Sequence, residues 1–280
     1  MDVSKQWEDL ARELTTDPPA RIYVAGETDS GKTTLCRFLI DRFSEHAGAA
    51  SYLDCDPGQS TIGPPSTIGL DRTDGARLLR FAGATSPHGY LLQNMRAIVD
   101  LASRAGRKHP LVIDSSGYVT GETAREFQYS VIDILRPDVI VIPGSSAALE
   151  SVCRSFGRSV SVRRVAASGA VRPRSTETRR AYRETRFGEY FRSTKEIDID
   201  RSMVGLTGRV PHGSSDRMPH RLVGLLDEDQ LLLSLGIVID AGAGGGRIRV
   251  LARPIDPSRV CSLQFGHMRV DRSGRELDVE

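Results

Sequence analysis

The sequence predicts an α/β protein: a mostly parallel sheet with helices on both faces, followed by a small β-rich domain. Three observations predict it. Through the first two-thirds of the chain, short apolar runs alternate with stretches of helical spacing, the pattern of strands joined by crossover helices. Residues 26–33 read Gly-Glu-Thr-Asp-Ser-Gly-Lys-Thr, which fits G-x-x-x-x-G-K-[ST] between a strand and a helix and makes the sheet one of the P-loop NTPase type. After about residue 198 the helical spacing ends, and apolar runs separated by turn residues take over, as in hairpins.

The elements follow in order. Residues 4–15 have the spacing of a short amphipathic helix, closed off by Asp17-Pro18-Pro19. Strands are expected at 21–25, 49–55, 77–82, 111–114 and 138–142, with a sixth at 160–166. Helices are expected at 32–46, 89–106, 122–135 and 145–156. Farther on, 222–226 and 231–240 flank Asp227-Glu228-Asp229-Gln230 as a hairpin, and 247–251 follows the Gly-rich turn 241–246. That glycine run joins strand to strand and so is not a dinucleotide fingerprint. The expected organisation is an N-terminal helical extension (1–18), a P-loop domain (19–198) and a C-terminal β domain (199–280).

The 280 residues suffice for about two domains. A net charge of +2 hides a strong preference for arginine, since lysine occurs only at Lys5, Lys32, Lys108 and Lys195. Cys36, Cys55, Cys153 and Cys261 are scattered without a C-x-x-C pair, which argues against structural zinc and for free thiols in a reducing compartment. The N-terminus lacks the apolar core of a signal peptide, and no apolar run approaches membrane-spanning length. The expectation is a soluble, cytoplasmic protein without a membrane partner.

The glycine-rich stretch carries the chemistry. Its backbone N–H groups converge on phosphates at a helix N-terminus, so Gly26, Glu27, Thr28, Asp29, Ser30, Gly31, Lys32, Thr33 and Thr34 are the candidate nucleotide-binding residues. Lys32 would reach the β- and γ-phosphates and the Thr33 hydroxyl would hold Mg²⁺. The second expected strand ends Asp54-Cys55-Asp56-Pro57-Gly58-Gln59. Period-two alternation puts Asp54 and Asp56 on one side, beside the triphosphate. One carboxylate can support the metal and the other can take a proton from an attacking hydroxyl. The spacing alone leaves the two interchangeable. A solvated Asp-Pro-Gly turn is the plain alternative.

Two further stretches compete for or extend this site. Leu111-Val112-Ile113-Asp114 followed by Ser115-Ser116-Gly117 mimics a GTPase switch, but a guanine-reading N/T-K-x-D element is missing: Thr194-Lys195-Glu196-Ile197 has Ile where Asp is required. Arg172, Arg174, Arg179, Arg180, Arg183, Arg186 and Arg192 crowd into residues 172–192. Arg179 and Arg183 share one helix face, with Arg186 close by, and arginine presents planar donors to phosphate oxygens. A solvated basic helix is the alternative there.

Taken together these segments resemble the polynucleotide 5′-hydroxyl kinases related to the kinase subunit of the pre-mRNA cleavage factor and to the ribosomal-RNA-processing 5′-kinase. The resemblance is carried by Gly26–Thr34, by Asp54–Gln59, by Thr85-Ser86-Pro87, by Ser115–Gly121 and by Arg179–Phe191. It covers residues 20–192 well and 199–280 loosely. It implies transfer of the γ-phosphate of ATP, with Mg²⁺, to the 5′-OH of RNA and possibly DNA. It also implies a lid carrying Arg179, Arg183 and Arg186 that closes over ATP, and Gln59, Thr85 and Ser86 as ligands of the substrate's 5′ end. Tyr118 stands where the family usually has tryptophan, in a loop expected to stack on the terminal base. Competing functions are an ATP-bound RNA-processing scaffold without turnover, which would not need the aspartates, and a small-molecule kinase or GTPase.

Overall fold

The computed structural model describes residues 4–46, 48–169, 172–211, 218–241 and 246–277. The chain forms two compact units. The first comprises 1–56, 68–77 and 86–174, and the second 57–67, 78–85 and 175–280. The boundary expected near residue 198 lies inside a strand of the second unit.

In the first unit, α1 (Lys5–Thr16) starts at Ser4, whose hydroxyl accepts the Trp7 N–H and satisfies one orphan donor of the first turn. The helix buries Trp7, Leu10 and Leu14, and the Trp7 indole donates to the Ala166 carbonyl at 2.9 Å. Strands β1 (Arg21–Val24), β2 (Ser51–Asp54), β3 (Thr67–Asp71), β4 (Arg77–Phe81), β5 (Leu111–Asp114), β6 (Val139–Pro143) and β7 (Ser161–Val165) form a sheet in the order β4-β3-β2-β5-β1-β6-β7, although residues 78–81 of β4 are counted with the second unit. Helices α2 (Lys32–His46), α3 (Leu91–Arg104), α4 (Glu122–Leu135) and α5 (Ala147–Arg154) connect them. β1 lies between β5 and β6 and pairs with both in parallel. Its residues Ile22, Tyr23 and Val24 are buried, as a central strand covered on both faces requires.

The expected parallel core is therefore present, with one addition. The strand at 77–82 is the fourth rather than the third, because β3 precedes it and runs antiparallel to β2. β3 escapes a sequence reading because Thr67-Ile68-Gly69-Leu70-Asp71 is short, carries a glycine and follows Pro64-Pro65.

In the second unit, α6 (Thr176–Phe191) is capped by the Ser175 hydroxyl, which accepts the Thr178 N–H. Strands β8 (Lys195–Asp200), β10 (Arg221–Leu226), β11 (Leu232–Asp240), β12 (Arg247–Ala252), β13 (Ser262–Val270) and β14 (Glu276–Leu277) lie in the order β14-β13-β10-β11-β12-β8, and β9 (Gly205–Gly208) pairs with β13. The expected hairpin is β10–β11, its turn closed by Asp227, whose carboxylate accepts the Leu231 N–H. Residues 242–245 of the Gly-rich turn lie outside the described residues. β8, β9, β13 and β14 add to the strands read from the sequence. Val223, Leu225, Leu263 and Phe265 belong to one apolar cluster, and Phe81, Phe187, Phe191, Leu222 and Ile237 to another. Gly188 of α6 approaches the turn before β14 so closely that a Cβ there would stand 2.8 Å from the Ser273 carbonyl oxygen.

Candidate active site

The phosphate loop begins where β1 ends. The ladder runs one residue past the strand, with the Ala25 N–H on the Val141 carbonyl. The chain then turns through Asp29 (φ 57°) and Gly31 (φ 88°), both in the left-handed region that Asp tolerates and Gly favours. Lys32 opens α2, is buried, and donates from Nζ to the Glu27 carbonyl at 2.7 Å. The loop is thereby curled with its lysine inside.

Adjacent strand ends bring carboxylates to the same edge. Asp54 of β2 and Asp114 of β5 are register partners, and Asp114 is also level with Val24 of β1. The Thr33 hydroxyl donates to Asp114 Oδ2 at 2.6 Å, and the Tyr52 hydroxyl donates to the same oxygen at 3.0 Å. Burial pushes the Asp114 carboxyl above its ordinary range and nearby Asp56 adds to this. The Lys32 ammonium and the two hydroxyl donors work in the other direction. Asp114 Oδ1 and the Ser116 hydroxyl are buried and have no hydrogen-bond partner among the described residues.

Asp54 is buried and Asp56 is half-buried. β2 ends at Asp54, so Asp56 lies in the following turn rather than two places along the strand, and its N–H returns to Asp54 Oδ1 at 3.0 Å. The thiols of Cys36 and Cys55 lie close by, and burial pushes both well up, which keeps them neutral.

A bound divalent metal fits these donors. Hard oxygen ligands are present in Thr33, Asp54 and Asp114, and the orphaned Asp114 Oδ1 has no other use for its lone pairs. No group of three His, Cys, Asp or Glu that could hold a metal occurs among the described residues. A metal carried in on nucleotide phosphates needs only one or two protein oxygens beside its waters.

Tyr118 sits in the loop 115–121, half-buried. Two contacts locate it. Gln128, fully buried in α4, accepts the Tyr23 hydroxyl at 2.7 Å and donates to the Tyr118 carbonyl at 2.9 Å. Gly117 lies against the phosphate loop: a Cβ there would come within 2.8 Å of the Thr28 Cα. The Tyr118 hydroxyl meets His88 Nδ1 at 3.3 Å, the two rings inclined at 66° edge to face. The Ser86 hydroxyl accepts the His88 N–H at 3.2 Å.

The structure thus gathers the phosphate loop, Lys32, Thr33, Asp54, Asp56, Ser86 and Tyr118 in the first unit. Gln59, Thr85, Arg179, Arg183 and Arg186 belong to the second. There Arg183 grips Glu276 through two bonds of 2.5 and 2.9 Å, and Arg186 donates to the Gly63 carbonyl at 3.2 Å. Asp114, Gln128 and His88 were not among the expected site residues. For Asp114 the signal was present, an apolar strand ending in aspartate, but it was attached to the GTPase alternative. Gln128 and His88 carried no signal in one sequence.

A strand, a curled glycine loop, a helix opening on lysine and threonine, and a carboxylate on that threonine define a P-loop protein built for nucleoside triphosphates. The family model described as mRNA cleavage and polyadenylation factor CLP1 P-loop matches residues 26–193. The chain belongs to that family. It is 24% identical to a polyribonucleotide 5′-hydroxyl-kinase of Methanocaldococcus jannaschii, over 98% of this chain and 93% of that protein. It is 24% identical to one of Thermococcus kodakarensis, over 93% and 91%. A CLP1 homolog of Nematostella vectensis is 29% identical over 61% of this chain and 44% of its own. Among solved structures, the wild-type Clp1p–Pcf11p complex contains a chain that superposes with a TM-score of 0.74 at 14% identity, covering 95% of this chain and 79% of that one.

Proposed function

We infer that this chain is an ATP-dependent kinase that phosphorylates the 5′-hydroxyl end of RNA. The observation that carries the reading is the juxtaposition at one sheet edge of the phosphate loop, the Thr33–Asp114 hydrogen bond and the Asp54/Asp56 turn. Family membership over residues 26–193 supports it, as do relatives named polyribonucleotide 5′-hydroxyl-kinases that align along nearly the whole chain.

In this reading the N–H groups of residues 26–34 cradle the triphosphate and Lys32 leaves the Glu27 carbonyl for a phosphate oxygen. The divalent metal is Mg²⁺, which when bound neutralises phosphate charge. Thr33 and Asp54 would hold it, with Asp114 orienting the Thr33 hydroxyl. The 5′-oxygen of the acceptor bonds to the γ-phosphorus as the bond to the β–γ bridging oxygen breaks. The hydroxyl proton passes to Asp56, and ADP leaves. Tyr118 stacks on the terminal base, an interaction worth roughly 1–3 kcal/mol. Ser86 receives the 5′ end. A DNA 5′-OH end offers the same acceptor chemistry. No helix is long and apolar enough to cross a membrane among the described residues.

The test is transfer of label from γ-labelled ATP to a 5′-OH RNA oligonucleotide. The reading requires label at the 5′ end with the wild type and its loss with Lys32→Ala. No transfer by the wild type would overturn it.

A further inference from the structure

Two residues inside the phosphate loop make contacts that phosphate binding does not call for. Asp29 Oδ2 accepts the backbone N–H of Arg174 at 2.8 Å. Arg174 directly precedes Ser175, the cap of the arginine-rich helix α6. Its neighbour Thr28 donates from Oγ1 to the Gly117 carbonyl at 3.3 Å, and Gly117 has no room for a side chain against the Thr28 backbone. Gly117 is followed by Tyr118. One dipeptide of the loop therefore touches the root of one functional segment and the base of another.

The geometry of Asp29 fits this use. Its φ of 57° lies in the left-handed region, and its carboxylate is engaged by the Arg174 amide. Asp, Asn and Gly all adopt this conformation readily, whereas other residues are strained in it. The bond is a charge-assisted one between a half-buried carboxylate and an exposed amide.

We propose that Thr28 and Asp29 form a two-armed strap. It ties the conformation of the phosphate loop to the acceptor loop through Gly117, and to the entry of the arginine-rich helix through the Arg174 amide. Both are positioning residues. When ATP stiffens the loop, the same ordering reaches the acceptor loop and the chain at residue 174, so transfer is favoured when nucleotide is seated. The proposal rests on the kinase reading for its consequence in catalysis, but the tether itself does not.

Amide hydrogen exchange over a peptide containing Arg174, with and without ATP, tests the tether directly. In the wild type ATP should slow exchange at Arg174. Asp29→Gly keeps the backbone conformation and removes the acceptor, so exchange should be roughly ten- to a hundredfold faster, the span expected for losing a hydrogen bond to a charged group. ATP should no longer slow it. Asp29→Asn retains a carbonyl oxygen and should restore protection. In the transfer assay Asp29→Gly should raise the KM for RNA more than that for ATP and shift product from labelled RNA toward free phosphate, with Asp29→Asn again restoring the wild-type balance.

Unchanged protection in Asp29→Gly overturns the strap whatever the activity shows. So does loss of protection in a folded Asp29→Asn protein. A wild type that shows the exchange pattern but transfers no phosphate overturns the kinase reading and leaves the tether standing. If Asp29→Gly does not fold, Gly117→Ala and Asp29→Asn carry the test. Gly117→Ala forces the two loops apart and should speed exchange across 115–121; no change there overturns the Thr28 arm.

Discussion

The Thr33 hydroxyl and the Asp114 carboxylate are joined by a 2.6 Å hydrogen bond between the first turn of α2 and the end of β5. In the proposed kinase reading Thr33 holds the metal, and the bond to Asp114 would orient its hydroxyl. Asp114→Ala should therefore lower metal-dependent nucleotide affinity on the order of 10–100-fold, the usual effect of losing an outer partner of a metal ligand. Titrating Mg²⁺ against a fluorescent ATP analogue reads this. An Asp114→Ala protein with wild-type metal dependence would remove Asp114 from the site.

Asp114 also makes a prediction about stability. Its folded pKa is raised, chiefly by burial, so the folded protein holds this proton more tightly than the unfolded chain. The contribution is therefore favourable below the unfolded value of about 3.9 and is lost as pH rises through the folded one. Asparagine cannot ionise. In the absence of nucleotide, Asp114→Asn should gain on the wild type as pH is raised from about 4 toward neutrality, and the gap should then level off. Melting curves across that range check it, and a constant difference would contradict it.

Asp56 is assigned the proton of the acceptor hydroxyl. Asp56→Asn should lower transfer by about 10²–10⁴-fold, the range for a general base, with nucleotide binding retained. Asp54, whose carboxylate holds the Asp56 N–H at 3.0 Å, is assigned to the metal, so Asp54→Asn should instead weaken metal-dependent binding. Single-turnover transfer set beside nucleotide titration separates the two. Reversal of the two phenotypes would exchange the assignments.

Arg183 and Glu276 form a two-pronged ion pair with side chains only 15% and 13% exposed, alongside the close packing of Gly188 on the Ser273 carbonyl. Glu276→Ala leaves the guanidinium largely buried and unpaired. Urea unfolding should lose about 2–3 kcal/mol, below the fully buried range because some solvent reaches the pair. Arg183→Ala should cost a similar amount, and the double variant should cost less than the sum. Strict additivity would show that the pair contributes nothing.

Much of the fold was legible because its signals are local. The strand-helix alternation located β1, β2, β5 and β6, and the glycine-rich stretch marked the loop between β1 and α2. What was not legible is set by distance in sequence. Asp114 joins Thr33 across eighty-one residues because β5 happens to be the neighbour of β1, and strand order is not written in any single strand. β3 was hidden by its glycine and by the prolines before it. Gln128 looks like an ordinary polar position on α4 until the fold buries it between Tyr23 and the Tyr118 carbonyl. The arginine cluster was legible as charge, but not that Arg183 is committed to a carboxylate in β14.

The central claim is that this site delivers phosphate to a 5′-hydroxyl and not to water. The most direct measurement follows the fate of the γ-phosphate of ATP in the presence of otherwise identical RNA strands that end in 5′-OH or 5′-phosphate. The account predicts that the γ-phosphate appears on the 5′-OH strand and that turnover is slow with the blocked strand. Equal release of free phosphate with both strands, and none on RNA, would contradict it.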